Sequence, residues 1–482
     1  MEKNLLKDLS GNTVNLKMLM SDTSDLIIKH AVLCGVNICV IFCEGMASTD
    51  TISTLVYNPI SIFRDEKKLK PDELMQKLQN EILLAGEQKN AETYDELMKL
   101  IMSGFVAIMV DGVATCTTIG IQGYKSRGVE EPSTHANLRG SREGFIEVIR
   151  TNISMVRRRM KTPDLVFDMM TLGQTSNTDA CLCYLKGKAS QELIDKTKEQ
   201  LSGIPLNFIL EGGYIQPFLD TNDDLLFSEV GVTERPDTLC AKLYEGRVGV
   251  IVDGTPFALF IPHLFIENFQ TVDDYSERPA YATMIRWLRY FAYFITILLP
   301  GFYVALANFN PELIPNALLI NLSASVQTTP YPLMAECLII HIVYEIMREA
   351  GIRLPSNVGH AVSIVGGLVI GEIVVSAGLV GAPLVLIVAV SAITSFVVPD
   401  LYESIAILRF VFIFAGGMWG LFGLTIAGAA VLVKICSVSV KGIPYTAPVT
   451  PFTPAAMRDV LVRIGWKSMA KKDVKIDTLN KL

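Results

Sequence analysis

The hydrophobic residues of this 482-residue chain are unevenly distributed, and long apolar segments are concentrated in its second half. The first of them runs from Trp287 to Phe309 and is interrupted only by Arg289 and by the Pro300-Gly301 pair. At about 1.5 Å of rise per residue, such a helix crosses a hydrocarbon core about 30 Å thick. The segment therefore predicts a transmembrane helix.

More apolar segments follow, at Pro332–Glu349, Val358–Gly381, Pro383–Val398 and Ser404–Ile435. The first of these four carries Glu336, His341, Glu345 and Arg348, so it lies either at the membrane interface or within a span surrounded by protein and water. The last contains the glycine-rich break Gly416–Gly420. Its length suits either one long span or two shorter elements bent at the glycines.

The number of crossings must be even, because both ends of the chain are predicted to be cytoplasmic. Positive residues beside the first span, a basic tail and the lack of a cleavable signal peptide all favour that orientation. Four crossings result if Pro332–Glu349 lies at the interface. Six result if it crosses and the glycine-rich run folds back, and the sequence leaves both open.

An acidic residue, Glu372, lies near the middle of the Val358–Gly381 segment. A carboxylate at that depth costs about 2.5 to 3.5 kcal/mol unless it faces protein or water. Glu372 therefore indicates a hydrated path or polar contact, with packing in the protonated form as the alternative; Glu336, His341 and Glu345 are further candidates. The GxxxG spacings that start at Gly367 and Gly416 are typical of close helix packing.

The first half of the chain contains an internal repeat. Cys39–Ser48 matches Cys181–Ser190, and Val106–Gly112 matches Val248–Gly254, both at an offset of 142 residues. The helical run before each second motif aligns at the same offset, through Asp95, Leu97 and Gly104 opposite Asp237, Leu239 and Gly246. Three matches at one offset indicate duplication.

Each copy predicts a short apolar strand, a Gly-x-Ala-Ser turn into a helix, a further helix and an Asp-Gly hairpin. The dipeptides Asp111-Gly112 and Asp253-Gly254 supply the positive φ angles of a type I′ turn. We interpret these four residues as structural rather than catalytic or metal-binding. The repeat also argues that Leu26–Cys43, which weakly resembles a membrane span, is soluble, because its counterpart contains several polar residues.

The predicted fold class is a duplicated α/β soluble N-terminal region followed by an α-helical transmembrane bundle. We divide the chain into a first cytosolic α/β subdomain (1–130), a linker helix with a second such subdomain (131–275), a transmembrane helical domain (276–440) and a basic cytosolic tail (441–482). These boundaries follow the repeat offset and the start of the first apolar segment.

Charge and cysteine usage narrow the function further. The net charge of -7 is spread along the chain, which argues against a nucleic-acid partner. Arg157, Arg158 and Arg159 form a cluster that either binds phosphate groups, lipid headgroups or an acidic partner, or is a solvated face with local ion pairs. The nine cysteines lack zinc spacing and are expected to be reduced and packed as small hydrophobic residues.

Several motifs together resemble the A subunit of the spore germinant receptors of endospore-forming bacteria. The motifs are Thr233–Asp237, Glu245–Phe257, Tyr275–Pro279, Glu130–Pro132, Arg139–Phe145 with Arg157–Arg159, and Gln327–Pro332. The resemblance covers about residues 25 to 455. Ser141, where the family is expected to prefer proline, is a departure that concerns the local turn.

The resemblance implies a subunit of a nutrient-sensing complex in the spore inner membrane. It implies as partners a permease-like B subunit and a C-type lipoprotein, and homo-oligomerisation of the A-type subunit into a gated ion channel that triggers germination. A secondary transporter is the alternative, although the visible repeat is confined to the soluble half. A membrane-anchored enzyme is a third hypothesis, and it is weakened because no nucleophile–base pair, metal motif or phosphate loop is evident. No cofactor is expected.

Overall fold

The computed structural model describes residues 3–63, 68–83, 87–123, 140–221, 226–327, 329–354, 371–454, 456–469, 476 and 479. Two groups of predictions lie outside these residues. They concern the segment 130–139 and most of the Val358–Gly381 segment, including Gly367.

The first copy is built around a five-stranded antiparallel sheet with the strand order β1-β2-β4-β5-β3. The strands are β1 (Leu26–Leu33), β2 (Val36–Cys43), β3 (Gln88–Ala91), β4 (Phe105–Val110) and β5 (Cys116–Gly120). Side chains alternate between the two faces of a strand, so Cys39 and Ile41 of β2 enter one core while Ile38 and Val40 enter the other. Leu26–Cys43 is thus a β-hairpin, in agreement with the soluble interpretation.

Helices cover both faces of this sheet. They are α1 (Leu9–Leu19), α2 (Thr49–Ile52), α3 (Asn58–Ile62), α4 (Pro71–Lys77) and α5 (Tyr94–Ile101), with π-helical turns at Ser53–Tyr57 and Leu78–Ile82. Helices α1 and α5 pack on one face, and the segment from α2 to α4 packs on the other. The hydroxyl of Ser48 accepts a hydrogen bond from the amide of Thr51, so the predicted Gly-x-Ala-Ser turn does cap a helix.

The second copy repeats this arrangement, with the strand order β6-β7-β9-β10-β8. The strands are β6 (Leu165–Leu172), β7 (Thr178–Leu185), β8 (Gly231–Thr233), β9 (Val248–Val252) and β10 (Ala258–Ile261), and the helices are α6 (Ile149–Arg159), α7 (Gln191–Ser202), α8 (Gln216–Leu219) and α9 (Pro236–Tyr244). The order is that of the first sheet, strand for strand. Ser190 caps α7 as Ser48 caps α2.

The Asp-Gly dipeptides lie in the turns that follow β4 and β9, but the predicted type I′ geometry is wrong. Gly112 and Gly254 have φ angles of +94° and +85°, whereas neither aspartate has a positive φ. The Oδ1 atoms of Asp111 and Asp253 instead accept hydrogen bonds from the amides of Leu9 (3.2 Å) and Ile149 (3.0 Å), at the starts of α1 and α6. Each aspartate therefore satisfies an amide in the first turn of a helix that is distant in sequence.

These caps reveal a correspondence that the sequence comparison missed: α1 is the counterpart of α6. Asn12 in α1 bonds the backbone of Leu6 through both atoms of its amide group, and Asn152 in α6 bonds Ile146 in the same way. The helix interpreted as a linker is therefore the first helix of the second copy.

The cysteines are reduced and mostly buried, as predicted. Burial raises the pKa of Cys39 to about 12, so its thiol stays protonated. The cysteines of β2 and β7 pack as part of the sheet cores.

The described residues between Asp273 and Ser437 are largely helical, and we call this region the helical half. Its helices are α10 (Asp273–Ser276), α11 (Pro279–Phe309), α12 (Asn316–Gln327), α13 (Leu333–Arg353), α14 (Gly371–Ser376), α15 (Ala382–Ser395) and α16 (Tyr402–Ser437). Among the described residues, Pro279–Phe309 and Pro399–Ser437 are long and apolar enough to cross a membrane. In the isolated chain only 44% of the most apolar stretch of each is buried.

Helix α16 reverses direction at Gly420, which has φ 61° and ψ -146°. A Cβ placed on Gly416 would lie 3.2 Å from Cδ2 of Leu424, and one on Gly423 would overlap the carbonyl oxygen of Ala415. Residues eight positions apart in a continuous helix are separated by about 12 Å, so these approaches require a hairpin. The glycine-rich run thus folds back on itself.

The contacts of this hairpin fix the directions of its neighbours α11 and α13. Gly301 of α11 meets Phe412, and Phe309 meets Gly420, so the first arm of α16 is parallel to α11. Helix α13 is antiparallel to that arm, because Met334 contacts Gly417 whereas Glu345 contacts Arg409 farther back. This arrangement is the one that six crossings require, and the number of crossings stays a prediction.

We expect Gly420→Ala to destabilise the helical half by about 1 to 3 kcal/mol, because this backbone conformation is essentially restricted to glycine. The added Cβ would also lie 2.9 Å from Cγ of Phe309. The change is measured as a loss of thermal stability of the full chain in detergent. Gly428→Ala in the second arm is the control, since its Cβ would meet nothing within 4 Å. Equal melting temperatures for the two variants would contradict the fold-back.

The chain ends in a segment that packs on the rest of the molecule. It contains β11 (Ser439–Val440), β12 (Ile443–Pro444) and α17 (Trp466–Met469). The amide of Phe265 donates to the carbonyl of Tyr445, and the amide of Ile476 donates to that of Glu245. The described part of the predicted basic tail is therefore docked on the second copy.

Candidate functional site

The α/β region and the helical half are joined by a buried charge cluster, which we call the junction. Asp274 of α10 accepts hydrogen bonds from Nε of Arg286 at 2.8 Å and from Nη1 of Arg289 at 2.9 Å. Asp274 and Arg286 are almost fully buried. The two arginines lie one turn apart on α11, so a single carboxylate on the preceding turn reaches both.

The C-terminal segment completes the junction. Arg286 also donates to the carboxylate of Asp459 at 2.8 Å, and the hydroxyl of Tyr275 donates to the same carboxylate at 2.6 Å. Burial and the charge of Asp459 raise the pKa of Tyr275 well above its usual range, so its hydroxyl remains a donor. Two arginines and two aspartates, from α10, α11 and the C-terminal segment, thus meet near the start of α11.

A second buried cluster supports the turn that leads into the junction. Glu267 pairs with Arg247, and Lys242 donates to it at 2.7 Å. Burial alone would raise the pKa of Glu267, but the charges of Arg247 and Lys242 lower it well below its usual range. The carboxylate is therefore ionised at neutral pH and holds the start of β9 against this turn.

The hydrophobic core of the second copy continues into the helical half without a break. One cluster of buried residues joins strand residues Leu259 and Ile261 to Tyr293 of α11 and to Ile405 of α16. Phe269 links the two parts, with its ring 5.4 Å from that of Tyr293 in an edge-to-face contact. The second sheet, α11 and α16 therefore share one packed core.

The two copies are joined by Arg157, one of the three arginines singled out in the sequence. Its guanidinium is completely buried and forms two hydrogen bonds with Asp25 of the first copy, at 2.7 and 2.9 Å. Arg158 and Arg159 both pair with Glu143 and are partly exposed. Contact with a headgroup or an acidic partner stays a prediction, and only Arg158 and Arg159 have the exposure for it.

The structure brings some of the predicted intramembrane residues together and separates others. Glu345 accepts from Nη2 of Arg409 at 3.2 Å and from the Tyr402 hydroxyl at 2.6 Å, which joins α13 to α16. His341 is buried one turn earlier, with Nδ1 2.8 Å from the Cys337 carbonyl oxygen. Its Nε2 has no hydrogen-bond partner among the described residues.

Glu336 lies near the start of α13 and is fully buried. Its Oε2 accepts a long hydrogen bond from the amide of Gly381 at 3.4 Å, while Oε1 has no partner within the described part of the chain. Glu372 lies on α14 with its side chain exposed. Glu372 forms no ion pair within the described ranges. Among all the described residues, no three His, Cys, Asp or Glu side chains lie close enough together to hold a metal ion.

The junction was not predicted from the sequence. Arg286 and Arg289 were interpreted only as markers of membrane orientation, although two arginines one turn apart inside an apolar helix require a buried acidic partner. That requirement was a usable signal. Nothing in the sequence, however, identifies Asp459, which lies 173 positions after Arg286, as one of those partners.

The fold and the junction together define the class: a duplicated α/β region whose second copy is built into apolar helices of membrane-spanning length. The sequence profile of the Bacillus/Clostridium GerA spore germination protein family matches residues 14–475. The chain belongs to this family.

Two spore germination proteins agree with that assignment. The chain is 37% identical over 479 residues to spore germination protein KA of Bacillus subtilis, covering 98% of this chain and 88% of the relative. It is 32% identical over 474 residues to spore germination protein GerLA of Bacillus cereus, with coverages of 97% and 96%. The N-terminal domain of the A subunit of the Bacillus megaterium germinant receptor GerK3 aligns with 28% identity and a TM-score of 0.44, covering 55% of this chain and 98% of that domain.

Proposed function

We propose that this chain is the A subunit of a nutrient germinant receptor in the spore inner membrane. In this proposal it forms a homo-oligomer that acts as a gated ion channel and triggers germination. Membership of the spore germination family supports the receptor role. The partners proposed from the family resemblance are a permease-like B subunit, a C-type lipoprotein and membrane lipid.

The observation that carries the channel proposal is the exposure of Glu372. In the single chain this carboxylate lies on the outer surface of α14, beside the exposed apolar side chain of Ile373. In hydrocarbon, a charged side chain costs about 2.5 to 3.5 kcal/mol. Assembly of several copies around a shared axis removes that cost, because each Glu372 then faces water. A ring of carboxylates is also a common device of cation-selective pores.

The buried junction supports the gating part of the proposal. Asp274, Arg286 and Asp459 fix the start of α11 to the second copy and to the C-terminal segment. A conformational change in the cytosolic region would therefore be transmitted to the helices, because the connection between them is rigid rather than a flexible linker. The role is one of signalling and conduction, and we assign no catalytic residue.

The other polar residues take supporting roles in this proposal. Glu345 is neutralised by Arg409 and holds α13 against α16. Glu336 and His341, with unpartnered polar atoms among the described residues, are candidates for contact with water or an ion inside the bundle. Arg158 and Arg159 remain candidates for contact with a headgroup or an acidic partner.

We expect Glu372→Lys to reduce nutrient-triggered cation release from spores by roughly an order of magnitude or more, since a ring of positive charge repels cations. Glu372→Ala should produce a smaller loss, because it removes the attraction without adding repulsion. The release of monovalent cations after nutrient addition is measured in spores that carry each variant, and cation flux is measured in liposomes that contain the oligomer.

The matched control is Glu312→Gln, an exposed glutamate in the 3-10 turn Pro311–Leu313 after α11. It should leave both readouts unchanged. Unaltered flux and germination in both Glu372 variants would refute the pore role. Substrate-dependent counterflow in liposomes that contain this chain alone would favour the transporter alternative instead.

A further inference from the structure

The C-terminal segment carries exposed apolar side chains that its docking on the second copy does not bury. They are Val449, Phe452, Leu461, Val462 and Trp466. Phe452 is 67% exposed and Trp466 is 60% exposed. A segment that follows the last apolar helix, and that lies in water, would not be expected to present two large aromatic rings in this way.

The segment wraps around the start of α11. The indole of Trp287 donates to the carbonyl of Leu461 at 2.9 Å, and the amide of Arg463 donates to the hydroxyl of Thr283 at 3.1 Å. Thr283 lies near the start of α11, and Trp287 is the first residue of its apolar stretch. The exposed side chains of Leu461, Val462 and Trp466 are therefore held beside the start of α11.

The neighbouring surface has the same character. Trp287 is itself 57% exposed, and Tyr281 and Met284 are exposed beside it on α11. Exposed cationic side chains lie at this level as well, on Arg278, Arg458 and Lys467. Aromatic rings together with lysine and arginine are the composition of the membrane–water boundary, where the rings lie among the headgroups and the cations meet phosphate.

We propose that residues 445–454 and 456–469 form an interfacial belt, which lies in the headgroup layer of the cytoplasmic leaflet and binds lipid directly. Trp466 and Phe452 insert as anchors, and Arg458 and Lys467 bind lipid phosphates. Since Asp459 of this belt pairs with Arg286, the lipid surface is connected to the junction. The inference rests on α11 crossing the membrane and is independent of channel activity.

The belt is tested by fluorescence of the full chain in nanodiscs. The chain contains three tryptophans, at 287, 419 and 466. A variant that retains only Trp466 (W287F and W419F) is compared with variants that retain only Trp287 or only Trp419, using lipids with a spin label near the headgroup or deep in the acyl chain. Interfacial side chains are buried about 5 to 10 Å into the headgroup and acyl boundary, so Trp466 should be quenched more strongly by the shallow label, as Trp287 should be.

Two results would overturn the proposal. Quenching of Trp466 by iodide from water but not by labelled lipid would put the belt in solvent. Protection from both quenchers would mean that protein covers it, either a second copy or a partner subunit. Failure of labelled lipid to quench Trp287 would instead refute the membrane position of α11.

Because Trp287 bonds to the belt, its replacement by phenylalanine could loosen the segment. The difference in quenching between the unmodified chain and W466F gives the contribution of Trp466 with Trp287 intact. As a second readout, R458Q/K467Q should weaken the dependence of Trp466 quenching on the fraction of anionic lipid. An unchanged dependence would refute the phosphate contacts.

Discussion

Replacing Asp274 by alanine is expected to lower the free energy of unfolding by about 3 to 5 kcal/mol, since removing one partner of a buried ion pair leaves the other charge uncompensated. Two arginines depend on this carboxylate, and Arg286 is completely buried. Arg286 retains Asp459, whereas among the described residues Arg289 retains only the backbone carbonyl of Phe269 and the hydroxyl of Thr271. The loss is measured by denaturant unfolding of the full chain in detergent.

The neighbouring Asp273→Ala is the matched control. Asp273 is partly exposed, and its Oδ1 has no hydrogen-bond partner among the described residues, so Asp273→Ala removes no buried ion pair and should change stability by only about 0.5 kcal/mol in either direction. If the junction also transmits the germinant signal, Asp274→Asn should slow nutrient-triggered germination even in molecules that remain folded. A loss for Asp274→Ala no larger than that of the control would show that the junction carries little of the stability.

Replacing Asp25 by alanine is expected to cost about 3 to 5 kcal/mol as well, because Arg157 then remains buried without its counter-ion. This pair connects the first copy to α6 of the second, so its loss should separate the copies rather than unfold one sheet. Hydrogen exchange of the full chain should therefore accelerate first along β1, whose neighbours Thr23 and Ser24 bond to Phe167 of the second copy.

An exposed ion pair across the same boundary supplies the control. Arg150 pairs with Glu44, and its side chain is 59% exposed, so Arg150→Ala should cost less than about 1 kcal/mol. The double variant Asp25→Leu with Arg157→Met should lose less than Asp25→Ala alone, because no buried charge is then left unpaired. A greater loss in the double variant would argue that packing, rather than charge, dominates at this site.

Much of the architecture was readable from the sequence. The short apolar strands β2 and β7, the repeat at 142 residues and the serine turns into α2 and α7 depend on local patterns, and the structure agrees with each. The equivalence of α1 and α6 was missed. Their apolar positions correspond, but the residues that fix them, Asp111 and Asp253, lie about a hundred positions farther along the chain.

The sequence predicted less about the candidate site. The sequence selected Glu372, Glu336, Glu345 and His341 because charge inside an apolar helix is expensive, yet it could not tell which of them find partners. In the structure Glu345 meets Arg409, while Glu372 stays exposed in the single chain. The partner of a charged side chain depends on which helices become neighbours.

The sequence by itself determined the division into an α/β half and an apolar helical half, the duplication, and the family. Hydrophobic periodicity and repeated motifs are properties of short segments, and these need no knowledge of distant contacts. Only the tertiary structure decided that α16 folds back at Gly420, that Asp274 and Asp459 neutralise Arg286, and that Arg157 joins the two copies. Each of these depends on groups that are far apart in sequence and brought together by burial, since a desolvated charge or a crowded backbone is stable only beside its complement.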